Sequence, residues 1–344
     1  MKVSAVSKTF TRFAWAVLAF TVAVVLWGAY VRATGAGAGC GNHWPLCNGE
    51  VVPRAPAVKT IIEFTHRVMS GLDGLLIFLL VIWALRAYPP RHLARKAAVA
   101  SFVFVITEAL IGAALVKLEH VAQNASLGRV WSLSGHLMNT LTLLACLALT
   151  AFWGNPRQAK SAADPQTGPP VPPAKAPVSS RGPSVWAATP GLLLFVLTGI
   201  SGAIAALGDT LFPAASLAAG FRQDFDPAAN VLLRMRWFHP FLAIAAGTFL
   251  SFYATRIETR LPAAKPYARM LLAAVGLQIG AGVLNLLLLA PVWMQILHLL
   301  LADLLWISVV LLAGCTLQQF GAAVDSSSDE MAPGVASVGG AGSR

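Results

Sequence analysis

Eight stretches of apolar sequence, at 13–31, 66–86, 97–116, 133–153, 185–207, 237–255, 267–289 and 292–316, constrain this chain more than any other feature. A helix needs about 20 residues to cross the hydrocarbon core of a bilayer, where lipid offers an unpaired N–H or C=O no partner. The expected fold is an all-α membrane protein with eight transmembrane helices. Phe13 to Val31 follows Lys2, Lys8 and Arg12 as a signal peptide would, but its 19 uncharged residues exceed a usual signal core, and it reads as a retained helix. Composition agrees, with 57% hydrophobic and 11% charged residues among 344.

The net charge of +11 is not the mark of a nucleic-acid partner, because the basic residues sit between the apolar stretches, where they set topology. Fifteen Lys and Arg fall before helix 1 and in the 2–3, 4–5 and 6–7 connections, against eight in the other loops. Both termini are therefore expected in the cytoplasm. Residues 154–184 hold eight prolines and read as a flexible cytoplasmic linker. They separate an N-terminal half, 1–153, from a C-terminal half, 185–318; the polar tail, 319–344, is expected to be disordered.

The halves look alike. Ile111-Gly-Ala-Ala-Leu-Val116 matches Ile279-Gly-Ala-Gly-Val-Leu284, and His66 with Gly74 matches His239 with Gly247. An even number of spans per half gives parallel repeats, two tandem four-helix bundles related by a pseudo-two-fold axis along the membrane normal.

Four of the seven histidines, His66, His136, His239 and His298, fall one to each even-numbered helix, near its start. All even helices run inward in this orientation, so the four share a depth near the extracytoplasmic face. A single membrane histidine can simply bridge two helices. Four at one depth fit axial ligation of two hemes, one clamped by helices 2 and 4, the other by helices 6 and 8. Copper is the competing reading. A covalently attached heme is excluded, since there is no Cys-x-x-Cys-His run.

Glu63, His66 and Arg67 share a helical face. Glu63 and Arg67 form either an ion pair at the helix entry or a carboxylate over the heme edge that moves protons or stabilises positive charge. The second half has no carboxylate beside His239, which suggests chemistry in one half and electron transfer in the other. Cys40 and Cys47, in the first extracytoplasmic loop, suit a disulfide on the oxidising side, or zinc together with His43. Asp73, Glu108 and Asp303 are intramembrane carboxyls that either carry protons or pair between helices. Arg32, Arg54, Arg129, Arg234 and Arg236 lie at the outer boundary, where heme propionates would need cations.

The run Gly28-Ala-Tyr-Val-Arg32-Ala-Thr-Gly35-Ala-Gly-Ala-Gly-Cys40, then Trp44-Pro-Leu-Cys47-Asn-Gly49, Glu63-x-x-His66-Arg67 and one histidine in each later even helix resemble the heme A synthase family over residues 10 to 318. The resemblance implies an oxidoreductase acting on a CH group, in the bacterial cytoplasmic membrane, that oxidises the C8 methyl of heme O to a formyl group for terminal oxidase assembly. It implies that His66 and His136 flank the substrate heme, that His239 and His298 ligate a resident heme b, that Glu63 is catalytic, and that Cys40 and Cys47 form a functional disulfide. The insert Gly41-Asn-His-Trp44, the long linker and the tail depart from the family pattern.

Heme O would enter from the lipid and be oxidised stepwise through a hydroxymethyl intermediate, with electrons relayed by the C-terminal heme. Two axial histidines leave no open iron position. Either one ligand dissociates for oxygen chemistry, or electron removal lets water attack a carbocation stabilised by Glu63. A heme O synthase and an electron donor are the expected partners. The rivals are a quinol-linked di-heme b-type electron-transfer protein, which leaves Glu63 and the cysteine loop unexplained, and a transporter, which needs no heme.

Overall fold

The computed structural model describes residues 3–155 and 189–330. Helices α1 (Val3–Ala33), α2 (Val58–Ala87), α3 (Leu93–Lys117) and α4 (Leu127–Trp153) make the first half. The second contains α5 (Thr189–Leu211), two short helices α6 (Leu217–Phe225) and α7 (Val231–Arg234), then α8 (Phe238–Arg260), α9 (Lys265–Leu287) and α10 (Val292–Glu330). Among the described residues eight segments are long and apolar enough to cross a membrane, and the chain is a multi-pass membrane protein.

Leu75, Phe78, Leu110, Phe241, Leu277 and Leu286 stand exposed on the outside of the helices. Water would penalise such a surface, whereas lipid is its natural solvent. Burying apolar side chains gains little when the outside is equally apolar, so packing and buried hydrogen bonds hold the helices together. Within the first half α1 packs on α2 and α4, and α3 on α2 and α4; in the second, α8 packs on α5 and α9, and α9 on α10. The halves join through α10 against α4 and α1, and one buried cluster runs from Leu144 and Leu147 to Leu250, Leu271 and Leu312. Across this seam Trp306 Nε1 donates to the Leu141 carbonyl at 2.7 Å. At the far end of the first half, Thr11 and Tyr88 hydroxyls both donate to the Gly154 carbonyl, at 2.8 and 2.9 Å, closing the end of α4.

Several boundaries differ from the sequence expectation. Helix α2 begins at Val58, eight residues before the expected start at 66. The extra turns come from a mixed stretch, Val58 to Thr65, in which Lys59, Thr60, Glu63 and Thr65 break up the apolar run but no helix breaker follows Pro56. Residues 319–330, expected to be disordered, continue α10 as helix to Glu330; no proline interrupts the ladder before Pro333. The proline-rich linker falls outside the described residues except for Gly154 and Asn155, and residues 331–344 also lie outside them.

The repeat register also differs. Helices α3 and α9 end alike: Leu118 N–H bonds to Ala114 O and His120 N–H to Leu115 O, as Leu288 bonds to Leu284 and Ala290 to Asn285. Glu119 and Leu289 both take positive φ, at 56° and 61°. These pairs set Gly112 opposite Gly282, two residues from the match of Gly112 with Gly280 read from sequence. Small residues recur so often in membrane helices that the Ile-Gly-Ala run matched out of register.

Candidate functional site: two facing histidine pairs

All four helical histidines sit one to three turns into their spans. His66 and His136 are the ninth and tenth residues of α2 and α4, His298 is the seventh of α10, and His239 is the second of α8, which the α7 turn extends outward to Val231. Each histidine therefore still lies near the start of its span.

Each ring packs against a glycine on the neighbouring odd span. A Cβ built on Gly28 of α1 would lie 2.9 Å from His66 Cε1, and one on Gly202 of α5 would lie 2.8 Å from His239 Cε1. On Gly282 of α9 it would meet His298 Cε1 at 3.1 Å, and on Gly112 of α3 it would reach His136 Nε2 at 4.0 Å. Gly28 and Gly202 let a helix backbone approach the imidazole where a side chain would force it to shift, whereas at Gly112 a Cβ would make only ordinary contact. Sequence reasoning noted Gly28 and Gly112 only as parts of motifs; their i-to-histidine relation crosses helices and leaves no mark in the linear order.

The rings of His239 and His298 face one another with centroids 6.3 Å apart and planes at 87°. One metal atom at about 2 Å from a nitrogen of each ring fits between them. His239 Nδ1 lies 3.1 Å from the Thr198 carbonyl and 3.2 Å from Ser201 Oγ. An Nδ1–H bonded there leaves Nε2 free as a ligand, a common way to fix the tautomer of a metal-binding histidine. His298 Nε2 lies 3.3 Å from the Gln278 amide nitrogen, while its buried Nδ1 has no partner among the described residues.

In the first half His66 and His136 lie within electrostatic reach of one another and of Glu108. The buried Nδ1 of His66 has no hydrogen-bond partner among the described residues. His136 Nδ1 is 3.0 Å from Glu108 Oε1, close but off the axis of a full hydrogen bond. The structure thus sets the His239 and His298 rings against one another, while His66 and His136 share only electrostatic reach. Orphaned buried imidazole nitrogens and glycine cradles suit a large planar metal cofactor held from both sides.

Glu63 is buried, 3% exposed, and its carboxylate organises the first loop. Oε2 accepts the Cys40 N–H at 2.8 Å, and Oε1 pairs with Arg67 Nη2 at 2.5 Å. Arg67 Nη1 also donates to the carbonyls of His43 and Leu46, both at 2.8 Å. Both arms of the loop that carries Cys40 and Cys47 are thereby fastened to α2, one turn from His66. The two cysteines form a disulfide, which removes the thiolates that the zinc alternative requires. Gly39 sits so close to α2 that a Cβ there would collide with the Lys59 carbonyl.

The remaining charges divide. Asp73 accepts from Thr21 Oγ1 at 2.8 Å, joining α2 to α1. Asp303 is 2% exposed, with Oδ2 unpartnered among the described residues. Arg54 pairs with Glu50 on the surface, Arg234 is exposed, and Arg236 is bound by Asp209 and Asp224, both at 2.7 Å. Arg32 and Arg129 bind neutral oxygens instead. Arg32 reaches from α1 into the second half, to Ala206 O at 2.9 Å and to Thr210 Oγ1 and Gln295 Oε1 at 3.0 Å; Arg129 donates to Ala122 O and Asn124 O at 2.6 and 2.8 Å. Arg129 Nε is buried and unpartnered among the described residues.

Fold and site together define a polytopic membrane protein with a histidine near the start of each of four spans and a disulfide-closed loop fastened beside the first of them. A family model described as cytochrome oxidase assembly protein matches residues 11–310, and this chain belongs to that family. A protoheme IX farnesyltransferase of Thermus thermophilus is 44% identical over 311 residues, covering 89% of this chain and 48% of the relative. A heme A synthase of Alkalihalophilus pseudofirmus is 40% identical over 125 residues, covering 36% of this chain and 41% of the relative. A heme A synthase of Geobacillus kaustophilus is 47% identical over 105 residues, covering 30% and 33%. The chain spans about half the length, or less, of these relatives.

Proposed function

We propose that this protein is a heme A synthase, an inner-membrane oxidoreductase that converts the C8 methyl of heme O to a formyl group. The observation that carries this reading is the approach of the His239 and His298 rings, with centroids 6.3 Å apart, while His66 and His136 lie in mutual electrostatic reach in the first half, next to a loop tethered by Glu63. The relatives named heme A synthase favour it over the di-heme electron-transfer alternative. The Thermus relative favours it too: this chain matches only 48% of a protein named for farnesylating protoheme, which leaves room there for a second unit that makes the farnesylated heme. A separate heme O synthase is the natural partner here. Both termini are assigned to the cytoplasm and the histidines to the outer side, in tandem four-helix halves, as the loop charges require.

His66 and His136 hold the substrate heme, and His239 and His298 hold a resident heme b. When bound, the resident heme supplies one-electron transfer. Methyl plus water to formyl releases four electrons and four protons, so the first half needs a proton acceptor and the second an electron outlet. Glu63 is the acceptor and counter-charge in this reading, buried where a carboxylate acts strongly on developing positive charge. Arg32 and Arg129, bonded only to neutral oxygens, supply cations for propionates, whereas Arg54 and Arg236 are already paired. The Cys40–Cys47 loop covers this end and limits water entry.

The test is co-expression with a heme O synthase in a host lacking heme A, followed by chromatography and mass spectrometry of extracted hemes. Heme A or its hydroxylated precursor is expected from the wild type and not from His66→Ala. A Glu63→Gln variant making full amounts of heme A removes Glu63 from the chemistry; heme-loaded wild type yielding only hemes B and O overturns the assignment.

A further inference from the structure

Glu108 of α3 has no part in the mechanism above, yet it is the carboxylate that touches a ligand histidine. Its Oε1 lies 3.0 Å from His136 Nδ1, its Oε2 accepts from Asn139 Nδ2 at 2.5 Å, and Thr140 Oγ1 donates to Oε1. Asn139 is itself held by Thr107 Oγ1 at 2.6 Å and by the Phe104 carbonyl at 2.8 Å. A carboxylate in a membrane helix is costly unless such donors surround it. All of these partners come from α3 and α4, so the network fixes Glu108 rather than leaving it free to carry protons along a path.

The matching ends of α3 and α9 place Gln278 where Glu108 stands in the first half. Gln278 also reaches the histidine of the next helix, with its amide nitrogen 3.3 Å from His298 Nε2. One structural position therefore carries a carboxylate beside one histidine pair and a neutral amide beside the other. His239 likewise has only neutral neighbours, the Thr198 carbonyl and Ser201 hydroxyl.

We propose that Glu108 is a positioning residue for His136, its carboxylate 3.0 Å from Nδ1 favouring the proton on that nitrogen so that Nε2 faces the substrate heme, and making that imidazole a stronger donor than any ligand in the second half. A carboxylate behind a ligating histidine fixes the tautomer and raises ligand basicity. A more basic ligand favours ferric over ferrous iron, and so lowers the reduction potential at that site. The exchange of Glu for Gln between equivalent positions makes the substrate site the one that more readily gives up electrons and the resident site the one that accepts them, which is the direction that oxidation of the substrate requires. This rests on the two-heme reading above.

The experiment uses full-length protein in detergent loaded with ferric protoheme, titrated by spectroelectrochemistry. Wild type is expected to show two one-electron transitions. In Glu108→Gln the lower one rises by about 59 mV, a tenfold change in the ratio of ferric to ferrous affinity, while the other stays. Glu108→Asp falls between the two. Glu108→Asp, which keeps the carboxylate, also keeps the idea testable if Glu108→Gln does not fold. Unchanged potentials in these variants, or equal shifts of both transitions, overturn the role of Glu108. Wild type that binds no protoheme overturns the two-heme reading instead.

Discussion

The backbone N–H of Cys40 donates to Oε2 of Glu63 at 2.8 Å, so the disulfide and the carboxylate three residues before His66 move as one unit. Closing so short a loop, with its cysteines seven positions apart, stabilises by about 2 kcal/mol in the chain-entropy account. Cys47→Ser is expected to lower the melting temperature of the purified protein, and a reductant should lower that of the wild type equally. The check is a thermal melt of both with and without reductant; a variant that melts with the untreated wild type would make the disulfide mechanically idle.

Gly202 leaves no room for a methyl group beside the His239 ring, since an added Cβ would lie 2.8 Å from Cε1. Overpacking of this kind costs about 1–3 kcal/mol, or else moves the ring. Gly202→Ala is expected to reduce heme retained at the second site while leaving the first intact, read as bound heme per protein after purification. Full loading with unaltered spectra would mean that the imidazole tolerates the shift.

Arg236 clamps α6 onto α5, through Asp209 on one side and Asp224 on the other, with its side chain only 10% exposed. Removing it strands two carboxylates, and breaking largely buried pairs costs about 3 kcal/mol. Arg236→Met should expose residues 217–230 to limited proteolysis, with Arg236→Lys restoring part of the protection, because an ammonium meets two carboxylates less well than a planar fork. Equal cleavage of Arg236→Met and wild type would show that α6 is held by its apolar face.

His92 caps α3 by accepting the Ala94 N–H at 3.2 Å, which requires a neutral Nδ1, and burial lowers its pKa below the ordinary value of 6.5. With the folded value depressed, this contribution is complete above about pH 6.5 and is lost as pH falls through the folded value. His92→Asn keeps a capping oxygen and should flatten the acid limb of the melting-temperature profile. Parallel acid limbs would assign that dependence to other groups.

Much of this was legible in the sequence because lipid leaves few options. A run of about 20 apolar residues must be a helix, and the helix count follows. The approach of His239 to His298 was also legible, through their matching places near the starts of even-numbered helices. The loop between α5 and α8 was less so: α6 and α7 lack a long apolar run, although Ser216 and Asn230 are helix-capping residues, and the Phe221–Phe225 spacing marks one face.

What the sequence determined by itself is the solvent, the helix count and the place of the four imidazoles near the starts of their helices, because hydropathy and helical rise are properties of the local chain. The tertiary structure alone decided which group stands behind each ring. Glu108 and Gln278 reach histidines on the following helix, and Gly28 and Gly202 open space for rings more than 35 positions away. Such neighbours are chosen by helix rotation and register, which depend on close packing between segments and leave no periodic trace along either one.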